Sequence, residues 1–361
     1  MSMLRSSWPD AAGLDVSPSQ FDRRRLLQGL LGAAGVGALA ACGKPSESAA
    51  DGRSLVIGGL PVTCNLTLPV ASAARDAELR GAPSSTAYRY AFAKYSGWPE
   101  IKESFMSGRV QAAYMLAPLT MLLADSGIPV KIVSLGHRSG AVIMVRTDSS
   151  YQQFKQLAGK VVAVPSRYAV DYLFLRKMLA QEDMTPADVQ IVEMPPPDMP
   201  AALYAKAVDA YCTGEPFGAA AQRGGFARPL RMTRDEWRNY ICCVLSVREE
   251  LIQKDPAQVQ DLVNLIQSAG HWLDEARANR DKAVQIAAGK TFFNQDPAII
   301  QFVMDNPTDR VTYGDLRMIR AEFEELMQLS IEAGTIKREI PYERYALETF
   351  VRAAKAAPIH L

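Results

Sequence analysis

From Ser54 onward, short apolar runs alternate with stretches of helical periodicity, and few architectures accommodate that alternation. Ser54-Leu55-Val56-Ile57-Gly58-Gly59-Leu60 reads as a buried strand. Residues 112–116, 131–135, 141–145 and 160–164 read as others, each bounded by Gly, Pro or Ser. Short runs that are apolar on both faces belong in parallel sheets covered by helices. The C-terminal part differs. Asp255-Pro256 reads as an N-cap followed by proline at the first helical position, with Val259, Leu262, Val263 and Ile266 as the stripe that follows. Leu316, Ile319, Phe323 and Leu326 make another stripe, closed by Gly334. No strand is evident after about Val247, and no internal repeat is present.

The N-terminus reads as a targeting segment. Arg23, Arg24 and Arg25 precede an uncharged stretch over residues 26–41, the length of a signal-peptide apolar region and too short to span a bilayer comfortably. Gly29, Gly32, Gly35 and Gly37 would make it a poor core helix. Asp22-Arg23-Arg24-Arg25-Leu26-Leu27 resembles the twin-arginine export motif, although Asp22 stands where Ser or Thr is usual, so the Sec route stays open. Leu39-Ala40-Ala41-Cys42-Gly43 resembles a lipobox, which makes Cys42 the expected lipidated N-terminus and residues 42–52 a flexible tether. The chain is therefore expected outside the cytoplasm, held on a membrane by its lipid.

Composition narrows the partners. A net charge of +1 over 361 residues lacks the basic surplus that nucleic acid demands. With 48% hydrophobic and 22% charged residues, long disorder is also excluded. Beyond Cys42 the cysteines are Cys64, Cys212, Cys242 and Cys243. Their spacing is no zinc pattern, and the adjacent Cys242 and Cys243 read as small apolar strand residues. No metal and no cofactor is expected.

The stretch from Pro195 to Gly218 carries the most information: Pro-Pro-Pro-Asp-Met-Pro-Ala-Ala-Leu-Tyr-Ala-Lys-Ala-Val-Asp-Ala-Tyr-Cys-Thr-Gly-Glu-Pro-Phe-Gly. It resembles a recurring segment of the ABC-importer substrate-binding proteins for nitrate, bicarbonate, sulfonate and thiamine precursors. Three further segments agree in order: Gly58-Gly59-Leu60-Pro61-Val62-Thr63, the run from Ser96-Gly97-Trp98 to Ala117-Pro118, and Leu157-Ala158-Gly159-Lys160-Val161-Val162-Ala163-Val164-Pro165. The resemblance covers about residues 53–250. It implies an α/β chain of two Rossmann-like lobes joined by crossing strands, the type II periplasmic binding protein, with extra C-terminal helices. Lobe one would comprise residues 53–147 and 240–361, and lobe two residues 148–239. The chain would cross near Arg146-Thr147-Asp148 and return near Tyr240-Ile241. It further implies a monomer that catalyses nothing, closes on a small polar molecule, and delivers it to a permease and ATPase complex.

Ligands of open α/β sheets sit beyond the carboxyl ends of strands, so the residues following each strand are the candidates. They are Thr63 and Asn65, then Trp98, then Ala117 through its backbone. His137 and Arg138 follow another strand and could read an anion or simply sit in a solvated loop. Ser166, Arg167 and Tyr168 open lobe two at a helix N-terminus suited to anions. Asp171 lies one turn on, where nitrate- and bicarbonate-binding relatives often carry a His; its alternative role is favourable charge in a first helical turn. Glu215 and Phe217 complete the set. Cys64 reads as a small packed residue rather than a nucleophile. The mixture of Arg138, Arg167, Asp171 and Glu215 with Trp98, Tyr168 and Phe217 suits a small polar molecule with an apolar or planar part. A ligand sensor, or an enzyme like the thiamine-pyrimidine synthases, is the alternative on the same fold. The sequence holds no Gly-x-Ser-x-Gly elbow or phosphate loop, and the Cys-rich motif of those synthases is missing.

Overall fold

The computed structural model describes residues 54–82, 87–238 and 240–361. The expected signal segment (residues 1–41), Cys42 and the tether to residue 52 lie outside them. Two five-stranded sheets organise the rest. The strands are β1 (Ser54–Gly59), β2 (Arg89–Lys94), β3 (Ala112–Leu116), β4 (Val130–Leu135), β5 (Arg138–Ser139), β6 (Ala141–Arg146), β7 (Val161–Val164), β8 (Gln190–Glu193), β9 (Ala210–Gly214), β10 (Ala227–Met232), β11 (Cys243–Arg248) and β12 (Val311–Thr312).

The first sheet has the order β2-β1-β3-β11-β4 and the second β10-β6-β9-β7-β8. In the first, β1 pairs in parallel with β2 and β3, while β11 enters antiparallel between β3 and β4. In the second, β7 is parallel to β8 and β9, and β6 runs antiparallel to β9 and β10. Each sheet thus receives one antiparallel strand straight from a crossing. The centre of each sheet is apolar: every residue of β3, and Ala141 to Val145 of β6, is buried, as sheets with helices on both faces require.

The chain passes to the second sheet through residues 136–140 and returns through residues 233–242. Tyr240 and Ile241 fall in the return link. The outward crossing does not fall at Arg146-Thr147-Asp148. Ala141–Arg146 is already hydrogen-bonded within the second sheet, so the link is one strand earlier. An apolar run reads the same in either sheet, which is why the sequence placed it late.

Asp255 caps the helix Pro256–Glu275, accepting from the Gln258 N–H at 3.0 Å. That helix packs on Thr67–Gly81, where Arg75 grips Asp261 through both carboxylate oxygens at 2.8 Å. The second C-terminal stripe begins its helix at Arg320 (Arg320–Glu332) and is followed by Gly334 at φ +70°. This helix contacts both Ala117–Asp125 and Val170–Gln181, so the C-terminal region touches both lobes. A two-residue strand also appears there: β12 pairs antiparallel with β5 of the outward link.

Candidate functional site

The carboxyl ends of β1, β3 and β4 in the first sheet face those of β7 and β9 in the second. At this seam lies a cavity of about 480 Å³, lined by Trp98, Lys102, Leu116 and Leu119 of lobe one and by Ser166 and Tyr168 of lobe two. Hollows of about 550 and 650 Å³ elsewhere are lined by C-terminal helices and loops, by residues such as Trp272 and Tyr342. They lie away from the strand ends, so the smaller cavity is the better candidate.

Trp98 opens the helix Trp98–Met106, with Gly97 extended before it and Pro99 after it. Ala117 opens Ala117–Asp125, and its N–H donates to the Cys242 carbonyl at 2.9 Å. Tyr168 is partly exposed above the cavity; its N–H donates to the Ser166 Oγ at 3.2 Å.

Below the cavity the seam is closed and polar. Thr63, Cys64 and Asn65 form a single buried turn after β1. The Thr63 N–H and Oγ1 both donate to the Glu215 carbonyl of lobe two, at 3.0 and 3.1 Å, tying the lobes together. The Asn65 Oδ1 accepts from the Leu60 N–H at 2.9 Å and so shapes the turn, while its Nδ2 makes no hydrogen bond. His137 stands buried in the outward link, Cys242 ends the return link, and Cys243 begins β11.

These segments bring thiols and an imidazole together. The Cys64 sulfur, the Cys243 sulfur and a ring nitrogen of His137 all lie within 4.8 Å of one another. The Cys243 N–H donates to His137 Nε2 at 3.3 Å, and His137 Nδ1 makes no hydrogen bond. Asp171, from the first turn of Val170–Gln181, is buried nearby with Oδ1 unpartnered; its carbonyl accepts from the Cys212 thiol at 3.1 Å.

The electrostatics follow from burial and proximity. The Cys243 thiol, by hydrogen bonding, holds Cys64 well below the usual thiol range against the opposing effect of burial, and His137 adds to the shift. Burial lowers His137, but the negative charge on Cys64 and the adjacent Cys242 outweigh it and hold the imidazole up at about 10. The Cys243 hydrogen bond brings Cys242 down to about 7. Burial pushes Cys243 and Cys212 up. Burial also raises Asp171, and the neighbouring Cys242 and Cys64 charges raise it further. Proximity within the cluster thus pulls the Cys64 and Cys242 thiols down, while burial holds the Asp171 carboxyl at its edge up.

Three expected ligand contacts are occupied otherwise. Glu215 is fully buried, but it faces Arg310: the guanidinium reaches its Oε1 at 2.6 and 2.5 Å, and its Oε2 accepts from the Ala219 N–H at 2.9 Å. Arg138 is not an anion reader. It is clamped to Glu322 at 2.8 Å and to the Asp315 and Arg317 carbonyls at 2.7 and 3.0 Å. Arg167 lies half-exposed against Glu193 at 3.3 Å and over the Tyr172 ring. Phe217 opens the helix Phe217–Arg223, and its carbonyl accepts from the Tyr211 hydroxyl. The sequence reading missed Arg310, which sits in an unremarkable stretch, and the convergence of Cys64, His137 and Cys243 from three distant segments.

Two α/β lobes, two crossing links and a polar seam define the type II periplasmic-binding-protein class. Within it, the chain belongs to the NMT1-like family, which it matches over residues 48–288. The nitrate/nitrite binding protein NrtA of Nostoc sp. (strain PCC 7120) is 24% identical over 245 residues, 62% of this chain and 55% of that protein. The chain spans about half the length of the curated relatives of that name that it matches. Among solved structures, the ligand-binding component of an ABC-type import system from Staphylococcus aureus, with zinc bound, superposes with a TM-score of 0.75 at 25% identity. That match covers 84% of this chain and 100% of the other. The periplasmic nitrate-binding protein NrtA from Synechocystis PCC 6803 gives a TM-score of 0.73 at 16% identity, covering 83% and 87%.

Proposed function

We propose that this chain is the extracytoplasmic solute-binding component of an ABC importer, anchored through a lipid on Cys42, and that it captures a small polar molecule between its lobes without transforming it. The observation that carries the reading is the seam. Residues from both lobes and both links converge at facing strand ends, where closure can bury a ligand by hinge motion. The family, and relatives whose names describe binding and import, support it.

The groups at the seam favour a ligand that donates hydrogen bonds or carries positive charge. The two buried arginines nearby are neutralised, Arg138 by Glu322 and Arg310 by Glu215. Asp171 keeps a free carboxyl oxygen. A simple anion such as nitrate brings no hydrogen-bond donor for the unpartnered Asp171 oxygen. The purified chain is to be screened by thermal shift, because a ligand that binds only the folded state raises the melting point. Trp98→Ala and Asp171→Asn should each weaken the best ligand roughly tenfold or more, the loss of about 1.5–3 kcal/mol expected for a charged hydrogen bond or a buried aromatic wall. If both variants bind within twofold of wild type, the ligand does not sit at this seam. A converted product after incubation would overturn the claim that nothing is transformed.

A further inference from the structure

We infer that the buried cluster of Cys64, His137 and Cys243 is a binding site for a thiophilic d10 metal ion, Zn²⁺ or Cu⁺. The inference deepens the seam reading by naming a ligand class for its floor.

The donors come first. Two sulfurs and one imidazole nitrogen lie within 4.8 Å of one another and are all buried. A tetrahedral ion with Zn–S near 2.3 Å and Zn–N near 2.0–2.1 Å places such donors about 3.6–3.8 Å apart. The cluster therefore needs to contract by roughly 1 Å or less, within reach of side-chain rotation. Thiolate and imidazole are the ligands that soft and borderline ions select, whereas Mg²⁺ and Ca²⁺ take oxygen. Three protein donors leave one tetrahedral position open.

The surroundings make inert packing an insufficient account. A cysteine alone can serve as a small core residue. Here, however, His137 Nδ1 and Asp171 Oδ1 are both buried without a hydrogen bond, and such groups are ordinarily satisfied. All four described cysteines are free thiols, so no disulfide uses the donors.

The cluster also sits where access depends on the lobes. Cys64 and Cys243, the first residue of β11, belong to the first lobe, and His137 belongs to the outward link. Gly214 of lobe two closes over Cys64, close enough that a methyl group there would lie 3.3 Å from the sulfur. An ion would enter with the lobes apart and be sealed when they meet.

The test uses the full chain, reduced and stripped of metal. Zn²⁺ is titrated against a chromogenic chelator, Cu⁺ likewise without oxygen, and Co²⁺ serves as a spectroscopic stand-in for zinc. One equivalent should bind, with thiolate-to-cobalt charge-transfer absorption. Cys64→Ser and His137→Gln should each weaken binding by at least ten- to a hundredfold, while Cys212→Ser and Cys42→Ser should leave it unchanged. If a ligand variant fails to fold, alkylation mapping of the unvaried chain decides, because bound metal should protect Cys64 and Cys243. Absent binding, affinity equal in both ligand variants, or no protection overturns the site. Metal held at the cluster of a chain that supports no uptake would sink the importer reading and leave the metal site standing. Uptake of another solute, with no metal bound, overturns the metal site alone.

Discussion

Replacing Arg310 by methionine should destabilise the protein severely, and the structure gives the size. The Arg310 and Glu215 side chains are each only 1% exposed. Glu215 has lost its water and relies on Arg310 at 2.5–2.6 Å and one N–H from Ala219. Arg310 also donates to the Asn306 carbonyl at 2.8 Å and to Gln222 at 2.6 Å. Removing one partner of a buried pair typically costs about 3–5 kcal/mol, because the other charge stays buried and uncompensated. That is a large share of a domain's roughly 5–15 kcal/mol. Burial already raises the Glu215 carboxyl despite Arg310, and without the guanidinium it should rise further. A raised folded-state value means the folded protein binds the extra proton, so the variant loses stability as pH rises. Its deficit should be smaller at pH 5 than at pH 8. Urea unfolding at both pH values measures this. Adding Glu215→Leu to Arg310→Met should restore much of the loss, since an apolar pair of similar volume is often tolerated. A deficit in Arg310→Met below about 1 kcal/mol at pH 8 would refute the buried-pair account and return Glu215 to the list of ligand contacts.

Four further outcomes are expected. Gly270→Ala should cost about 1–3 kcal/mol in urea unfolding, because its methyl would press on the Tyr313 carbonyl and come within 2.8 Å of Leu316 Cδ1; a neutral result would show the helix Pro256–Glu275 free to shift. Arg234 holds Asp309 below the usual carboxylate range at 2.7–2.9 Å. That stabilisation is present above the unfolded value of about 3.9 and lost as pH falls through the lower folded value. Arg234→Met should remove it, by no more than about 1 kcal/mol for so exposed a pair, and equal acid-unfolding profiles for variant and wild type would count against it. Cells fed a fatty-acid analogue should label the wild-type chain and not Cys42→Ala; equal labelling rules lipidation out. On lobe opening, neutral hydrogen bonds at about 1 kcal/mol each should break before the buried ion pair. In hydrogen exchange the Thr63 amide, bonded to the Glu215 carbonyl, should therefore exchange faster than the Ala219 amide on the Glu215 carboxylate; equal rates would contradict this order.

Much of the fold was legible because strands buried on both faces leave apolar runs that few other elements produce. The expected runs at residues 112–116, 131–135 and 141–145 fall on β3, β4 and β6. Sheet membership was less legible. Nothing in Ala141-Val142-Ile143-Met144-Val145 says which sheet it joins; that is decided by the ladder to β9 and β10. β8 was not anticipated, because its half-exposed Gln190-Ile191-Val192-Glu193 makes no apolar run. β12 was missed because two residues are too few to show a period.

The site was legible in its positions and not in its partners. Strand ends pointed to Thr63, Trp98, His137, Ser166 and Asp171, and the structure places these residues along the seam. What each side chain faces is set by contacts far away in sequence. Glu215 looked available until Arg310, 95 residues on, took it. Arg138 looked available until Glu322, 184 residues on, took it. Glu215 and Arg138 are thereby withdrawn, and the polar atoms left without partners along the seam include Asn65 Nδ2, His137 Nδ1 and Asp171 Oδ1. The thiols were hidden by the same logic in reverse. Metal motifs are recognised by close spacing because one loop supplies several donors, whereas here a turn, the outward link and the start of β11 supply them from residues 64, 137 and 243. Links between lobes are the segments that two-lobed folding must bring side by side. In such a fold, donors placed in a link and at the strand that follows the other link meet at the hinge, and their sequence spacing reflects the size of the lobe between them.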